Sequence, residues 1–264
     1  MSLELLRAAF EPWAPDVVAV ALCCARLLPV AFLCPLLGGQ AAPTTVKLAV
    51  VLSLALFLHQ VAGVSVGEPV DTPLRLAALT LKELTYGISV GLVAALPFDA
   101  ARMGGRFIDL FRGTSAEASL PVAGTRESAT GDALYHLLLG LVMTGGFMPL
   151  VLSGLVRGFG WVRPGAYVPG EAAVLHVVGL AGGAMATGLA VGAPIAAAVM
   201  AVDCLVAMVS RAAPQVNLQE ASAPLRILAG GALLWLGVGL LCERLLANFL
   251  SVEDALWSLG ELAR

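Results

Sequence analysis

The stretch AVLHVVGLAGGAMATGLAVGAPIAAAVMAVDCLVAMV, residues 173–209, carries a single acidic residue, Asp203, and no Lys or Arg. As one α-helix its 37 residues would be about 55 Å long, whereas the hydrocarbon core of a bilayer is about 30 Å thick. Because proline removes an amide donor and clashes with the preceding turn, we expect Gly192 and Pro194 to break the helix. The stretch therefore predicts a long membrane-type helix with an internal break.

Five further apolar stretches precede or follow it. They cover residues 17–37, 46–64, 76–98, 133–157 and 225–241. The whole chain is 59% hydrophobic and 12% charged, against about 25% charged residues in soluble domains. We therefore predict an all-α fold of polytopic membrane-type helices with kinked or broken helical hairpins, forming a single domain over residues 1–264. Pro29 and Pro35 are expected to bend the first helix.

Several function classes lack support in the sequence. The net charge is −3 and no basic run is present, so nucleic acid is not expected as a partner. His59, His136 and His176 are scattered without a metal-ligand companion, which gives no basis for a metal site. The GxSxG pattern occurs at residues 63–67 and 87–91, but neither copy follows a predicted strand, which a nucleophilic serine in this motif requires. The chain contains no phosphate-binding GxxxxGK[ST] motif, so we predict no enzyme activity and no cofactor.

Three ionisable residues interrupt the apolar stretches: Arg26, Glu83 and Asp203. Such a group at membrane depth costs at least about 2.5 to 3.5 kcal/mol on insertion scales. We expect each to be paired, with Arg26 and Asp203 as one candidate pair. Structural pairing is favoured over an ion relay.

A stripe of acidic and basic residues follows the third stretch. Its members, spaced three or four apart, are Asp99, Arg102, Arg106, Asp109 and Arg112. This spacing places them on one face of a helix. The face is either solvated or docked against neighbouring subunits.

Small residues recur four apart at Gly87 and Gly91, on the same helix face as Glu83. This spacing allows helix backbones to approach closely in lipid. We predict a tight helix contact there. The longest polar connection, GTSAEASLPVAGTRESATGD at residues 113–132, is predicted to be a functional or disordered loop.

Six motifs follow one another along the chain: RLLPVAFLCP (26–35), APTTVK (42–47), KELTYGISVG (82–91), GRFIDLFRG (105–113), GAPIAAAVMAVD (192–203) and RAAPQVN (211–217). Taken in this order, they resemble the SctT/FliR family, the T or R subunit of the type III secretion and flagellar export gate. The last motif, with Pro214, Gln215 and Asn217, is the most specific. The following LQEASAPLRI departs from flagellar members and favours an injectisome.

This resemblance implies a structural, non-enzymatic subunit of a helical assembly in the bacterial inner membrane, raised toward the periplasmic side. Its implied partners are the R-like (SctR/FliP) and S-like (SctS/FliQ) subunits, the U-like (SctU/FlhB) switch subunit, membrane lipid and unfolded export substrates. By the same resemblance, twelve residues would serve packing between helices and subunits: Arg26, Glu83, Gly87, Gly91, Asp99, Arg102, Arg106, Asp109, Asp203, Pro214, Gln215 and Asn217. The connection would face and close the pore through Gly113, Thr114, Ser115, Pro121, Gly124, Ser128 and Gly131.

Two other function classes stay open at this point. A small-molecule permease also uses broken helices and intramembrane charges, although no inverted repeat is visible in the sequence. An intramembrane hydrolase would need a Ser or His pair, or paired metal ligands, at fixed depth.

Overall fold

The computed structural model describes residues 14–39, 42–66, 70, 72–113, 128–167, 170–212 and 218–262. These residues form eight α-helices and one 3₁₀ turn at Pro35–Leu37, without a strand. The helices are α1 Ala14–Leu33, α2 Thr44–Gln60, α3 Pro73–Arg112, α4 Ala129–Thr144, α5 Met148–Trp161, α6 Glu171–Ala212, α7 Leu218–Leu250 and α8 Val252–Leu262. The predicted all-α fold is confirmed.

Proline and glycine set the end of α1. The helix continues through Pro29 and ends before Pro35, which begins the 3₁₀ turn. Gly38 and Gly39 then adopt φ angles of 129° and 45°, which residues with a Cβ rarely adopt. A Cβ on Gly39 would also lie 2.8 Å from the Pro35 Cα. The chain can therefore turn sharply before α2.

Helix α6 does not break where the sequence predicts it. It runs unbroken over 42 residues with Pro194 inside, so the predicted break at Gly192 and Pro194 was wrong. Proline removes only one backbone donor, while the hydrogen bonds of the flanking turns persist. Gly188 and Gly192 also pack directly against the α3 backbone at Ala100 and Gly104, and this contact supports the helical segment.

The fourth apolar stretch, in contrast, does break. Helix α4 ends at Thr144 and α5 begins at Met148. Gly146 between them has a φ of 74°, and Pro149 occupies the first turn of α5, where a missing amide donor costs little. Residues 133–157 therefore form parts of two helices.

In the part of the chain that the structure describes, four helical segments are long and apolar enough to cross a membrane: Ala14–Leu33, Pro73–Arg112, Glu171–Ala212 and Ser222–Leu262. The count rises to five if α4 and α5 together form one broken span. Within the Ser222–Leu262 segment only 11% of the most apolar window is buried, and Trp235 is 78% exposed. Such apolar faces require lipid or partner subunits around them.

The chain divides into two compact units. The first comprises Met1–Ala95, Phe147–Leu180 and Val252–Arg264, and the second comprises Leu96–Gly146 and Ala181–Ser251. Leu22, Leu27 and Tyr86 lie in the core of the first unit. In the second, the Phe98 and Phe249 rings meet edge to face at 5.8 Å. That both units serve as a single membrane domain stays a prediction.

Candidate functional site

The centre of the first unit is an ion pair between α1 and α3. The Arg26 Nε donates to Glu83 Oε2 at 2.6 Å, and the two side chains are 3% and 0% exposed. Buried charges persist in proteins only when they are paired and hydrogen-bonded. Arg26 and Glu83 therefore fix the contact between their helices.

Both side chains also bind the connection between α5 and α6. The Arg26 Nη1 donates to the Val162 carbonyl at 2.8 Å, and the Gly165 amide donates to Glu83 Oε1 at 2.6 Å. Gly165 has a φ of 84°, which suits a residue without a side chain. One ion pair thus connects two helices and a loop. Together with two aromatic residues beside it, Tyr86 and Phe159, we call Arg26, Glu83 and Gly165 the Arg26 cluster.

Two aromatic rings complete the Arg26 cluster. The guanidinium carbon of Arg26 lies 4.7 Å from the Tyr86 ring centroid and 4.4 Å from that of Phe159. Cation–π contacts at these distances stabilise a desolvated cation by about 2 kcal/mol. The aromatic rings, together with Glu83, compensate Arg26 for the loss of water.

Two glycines bring the α1 and α3 backbones together beside the Arg26 cluster. A Cβ on Gly87 would overlap the Arg26 carbonyl oxygen, and a Cβ on Gly91 would lie 3.0 Å from the Val30 Cα. Any larger residue at Gly87 would push the helices apart. The spacing of small residues in the sequence corresponds here to direct backbone contact.

A second polar cluster lies in the second unit, where Asp109 of α3 caps the start of α4. Its carboxylate accepts from Ser128 Oγ at 2.5 Å, from the Thr130 amide at 2.9 Å and from Thr130 Oγ1 at 2.5 Å. Asp109 is 3% exposed. A carboxylate at a helix N-terminus also interacts favourably with the helix dipole, so Asp109 joins the two helices at this point.

We call the polar residues at this junction the Asp109 cluster: Arg102, Asp109, Arg112, Ser128, Thr130 and Asp132. Arg112 extends the cluster to α7. Its Nη1 donates to Thr130 Oγ1 at 3.1 Å and its Nη2 to the Ile227 carbonyl at 3.3 Å. The side chain lies so close to Gly230 that a Cβ there would be 2.6 Å from Arg112 Cδ. Arg112 therefore joins the end of α3 to the first turn of α4 and to α7.

The remaining contacts of the Asp109 cluster join α3 and α4. Arg102 lies 3.3 Å from Asp132 and 4.2 Å above the Tyr135 ring centroid. A Cβ on Gly105 would overlap the Gly131 backbone. Three residues of the predicted charged stripe, Arg102, Asp109 and Arg112, thus form contacts inside the second unit. The other two, Asp99 and Arg106, are exposed.

Asp203 does not pair as the sequence predicts. It lies 3.3 Å from Arg226, whereas Arg26 binds Glu83, so the predicted Arg26–Asp203 pair was wrong. The side chains of Arg226 and Asp203 are 33% and 41% exposed, whereas those of Arg26 and Glu83 are buried. Burial identifies Arg26 and Glu83 as the pair with the larger structural role.

The predicted loop also differs at its end. Ser128 is the N-cap of α4 and its hydroxyl accepts from the Gly131 amide at 2.9 Å, so Gly131 belongs to the helix and not to the loop. Gly113 follows α3 with a φ of 68°. Thr114, Ser115, Pro121 and Gly124 lie outside the described residues, as do Pro214, Gln215 and Asn217.

Several residues of the two clusters were missed by the sequence analysis. Tyr86 follows Glu83 by three positions, a spacing that places both on one helix face and could have identified it. Thr130 follows Ser128 in a capping sequence and offered a weaker signal. Val162 contributes through its backbone carbonyl alone, so its side chain carries no signal.

The chemistry of the two clusters is that of structural pairing. In the Arg26 cluster both carboxylate oxygens and two of the three guanidinium nitrogens hold protein partners. Among the described residues, no three His, Cys, Asp or Glu side chains converge on a possible metal position. The arrangement suits the joining of helices.

Comparison with known proteins gives a family match over most of the chain. The family described as bacterial export proteins, family 1, matches residues 17–252. This range contains both the Arg26 cluster and the Asp109 cluster. The match therefore covers the described fold almost completely.

Individual relatives are flagellar biosynthetic proteins and a Yop proteins translocation protein. The chain is 25% identical over 199 residues to the flagellar biosynthetic protein FliR of Bacillus subtilis, covering 73% of this chain and 75% of the relative. It is 24% identical over 224 residues to FliR of Caulobacter vibrioides, covering 84% and 89%. It is 30% identical over 125 residues to the Yop proteins translocation protein T of Yersinia pestis, covering 47% and 46%.

Proposed function

Because the chain belongs to the bacterial export proteins, family 1, we propose that it is a structural subunit of the gate through which unfolded proteins enter a type III export apparatus. At the coarser level it is a multi-pass inner-membrane component of type III export or flagellar biosynthesis. The gate subunits R-like, S-like and U-like are its proposed partners. The raised, periplasmic-side position in the membrane belongs to the same proposal.

The observation that carries the proposal is a contrast between charged side chains that are buried and paired and apolar helix faces that are exposed. Arg26, Glu83 and Asp109 are buried and paired within their own units, whereas Leu228, Trp235 and Leu236 of α7 are 70%, 78% and 72% exposed. A protein that binds through such a surface does so by apolar packing. Docking between helices of neighbouring subunits and lipid contact both fit this surface.

A small-molecule permease fits the Arg26 cluster less well. Transporters place ionisable residues where a substrate or coupling ion reaches them from a water-filled cavity. Arg26 and Glu83 are 3% and 0% exposed and bind each other and two backbone groups. This burial favours a structural role over a transport site, and the same pairing supports a non-enzymatic protein.

The assignment to an injectisome rests on the LQEASAPLRI sequence alone. Flagellar relatives match 73% and 84% of this chain, and the secretion relative matches 47%. Similarity thus extends to both machines, and the flagellum is an equal candidate. Deleting the gene and measuring flagellar assembly and effector secretion in the same strain separates the two.

The sequence-based role of the connection is kept as part of the proposal. The family resemblance suggests that the connection between Gly113 and Asp132 faces the pore and helps to close it. Ser128 caps α4 and binds Asp109, so a deletion that tests this role should retain it. Removing residues 115–126 in the assembled gate is expected to raise ion leakage across the membrane, and unchanged leakage contradicts a closing role.

A genetic experiment tests the proposal as a whole. Loss of the gene should abolish export of all substrates of one apparatus, and the intact gene supplied in trans should restore it. A strain that lacks the gene but still exports every substrate contradicts the proposal. Loss of uptake of one small molecule with normal export would instead identify a permease.

A further inference from the structure

A small cavity adjoins the Arg26 cluster in the first unit. Its volume is about 20 Å³, and its lining includes Arg26, Tyr86, Leu155, Gly158, Phe159 and Leu256. A cavity needs roughly 10 to 15 Å³ on this measure to hold one water molecule. The space is therefore large enough for one water and too small for a larger ligand.

One unsatisfied donor belongs to a residue that lines this cavity. The Arg26 Nη2 is buried and has no hydrogen-bond partner among the described residues, although Nε and Nη1 are both bound. Tyr86 also lines the cavity and is 2% exposed, and its hydroxyl would lie 4.0 Å from a Cβ on Gly158. Leaving a buried charged donor unpaired is costly, and ordered waters commonly fill this role.

From these observations we infer that the cavity is a hydration site, in which one ordered water accepts a hydrogen bond from Arg26 Nη2 and bonds to the Tyr86 hydroxyl. The guanidinium lies close to the rings of Tyr86 and Phe159, and because its N–H groups point outward in its own plane, the Nη2 donors need an acceptor at the edge of the guanidinium. A neutral water supplies the acceptor without adding a charge. This inference does not depend on the proposed function.

Replacing Gly158 by Ala provides a test, because the change should stabilise the protein if the cavity is dry and destabilise it if the cavity holds a water. A Cβ at this position would have the Tyr86 hydroxyl, at 4.0 Å, as its only neighbour within 4 Å. Gly158→Ala therefore fills the cavity without overlapping a neighbour. In a dry apolar cavity this change stabilises the protein, because it fills space and replaces glycine inside a helix. In a hydrated cavity it expels the water and leaves Arg26 unpaired.

The experiment compares Gly158→Ala with Gly160→Ala in the purified full chain, using thermal unfolding in detergent. Gly160 is the matched control because it lies on the same helix and is exposed, and its added Cβ would meet no atom within 4 Å. We expect Gly158→Ala to lower the unfolding midpoint by about 2 to 6 °C, while Gly160→Ala leaves it unchanged or raises it. A rise for Gly158→Ala equal to that of the control overturns the inference.

A density map at a resolution that shows waters provides a second, independent measurement. We expect a peak within about 3.2 Å of both Arg26 Nη2 and the Tyr86 hydroxyl oxygen, and we expect it to vanish in the Gly158→Ala map. A cavity without density, or a peak that bonds to neither group, overturns the inference even if the variants fail to unfold reversibly.

Discussion

Replacing Glu83 by Gln tests the structural role of the buried ion pair. The change keeps the shape of the side chain but removes the negative charge that faces Arg26, which is 2% exposed. Two hydrogen bonds of 2.6 Å, from Arg26 Nε and the Gly165 amide, lose their charged acceptor. Hydrogen bonds to charged groups contribute about 1.5 to 3 kcal/mol each, and breaking one partner of a buried pair costs about 3 to 5 kcal/mol.

The expected result is a loss of about 3 to 5 kcal/mol in the free energy of unfolding, or a fall of at least about 6 °C in the unfolding midpoint. The assay is thermal or denaturant unfolding of the purified chain in detergent. Glu253→Gln is the matched control, since Glu253 pairs with Arg157 at 3.1 Å while the two side chains are 36% and 63% exposed. That exposed pair should contribute less than about 1 kcal/mol. Equal effects for the two Gln variants would refute the reasoning.

Three further outcomes follow from the contacts. Gly87→Ala should lower stability and reduce the amount of folded protein in the membrane, because the added Cβ would overlap the Arg26 carbonyl oxygen. Gly140→Ala is its control in the same unfolding assay and should be neutral or stabilising, because no atom lies within 4 Å of the added Cβ. Asp109→Asn should speed amide hydrogen exchange at the start of α4, since the Thr130 amide loses a charged acceptor at 2.9 Å; unaltered exchange there would contradict a capping role. Expression of Asp109→Asn in the intact apparatus should also reduce export, measured as secreted substrate per cell, by weakening the α3–α4 junction.

Much of the helical content follows directly from the sequence. Long apolar stretches with few charges specify membrane-type helices because their backbone groups must be satisfied internally in lipid. The sequence predicts a bend at Pro35, and the structure shows a larger effect there, because α1 has ended at Leu33 and Pro35 begins a 3₁₀ turn. Pro194 has no such effect, because an isolated proline removes a single donor and the adjacent glycines allow α6 to pack on α3.

Partner choice inside the clusters could not be derived in the same way. The sequence identified Arg26, Glu83 and Asp203 as residues that require partners, but hydropathy does not specify which helices are neighbours. Arg26 and Glu83 are separated by 57 positions, and Arg26 and Val162 by 136. Contacts with backbone groups, such as the Val162 carbonyl, leave no trace in residue type. Only the packed structure identifies them.

The start of α4 shows how a local signal was outweighed by composition. Residues 113–132 are rich in Gly, Ser and Thr, which is typical of a loop. Ser128 nevertheless precedes a helix with the spacing of an N-cap, and Asp132 lies in its first turn, where an acidic residue is favourable. The capping chemistry was present in the sequence but was hidden within the polar run.

Purification of the chain from native membranes under mild detergent, followed by mass spectrometry of the proteins that remain bound, tests the proposed gate subunit most directly. We predict that small, highly apolar R-like and S-like subunits copurify in fixed ratios, and that they dissociate when the exposed apolar face around Trp235 is made polar. Recovery of the chain as a monomer without such subunits would contradict its assignment to the gate.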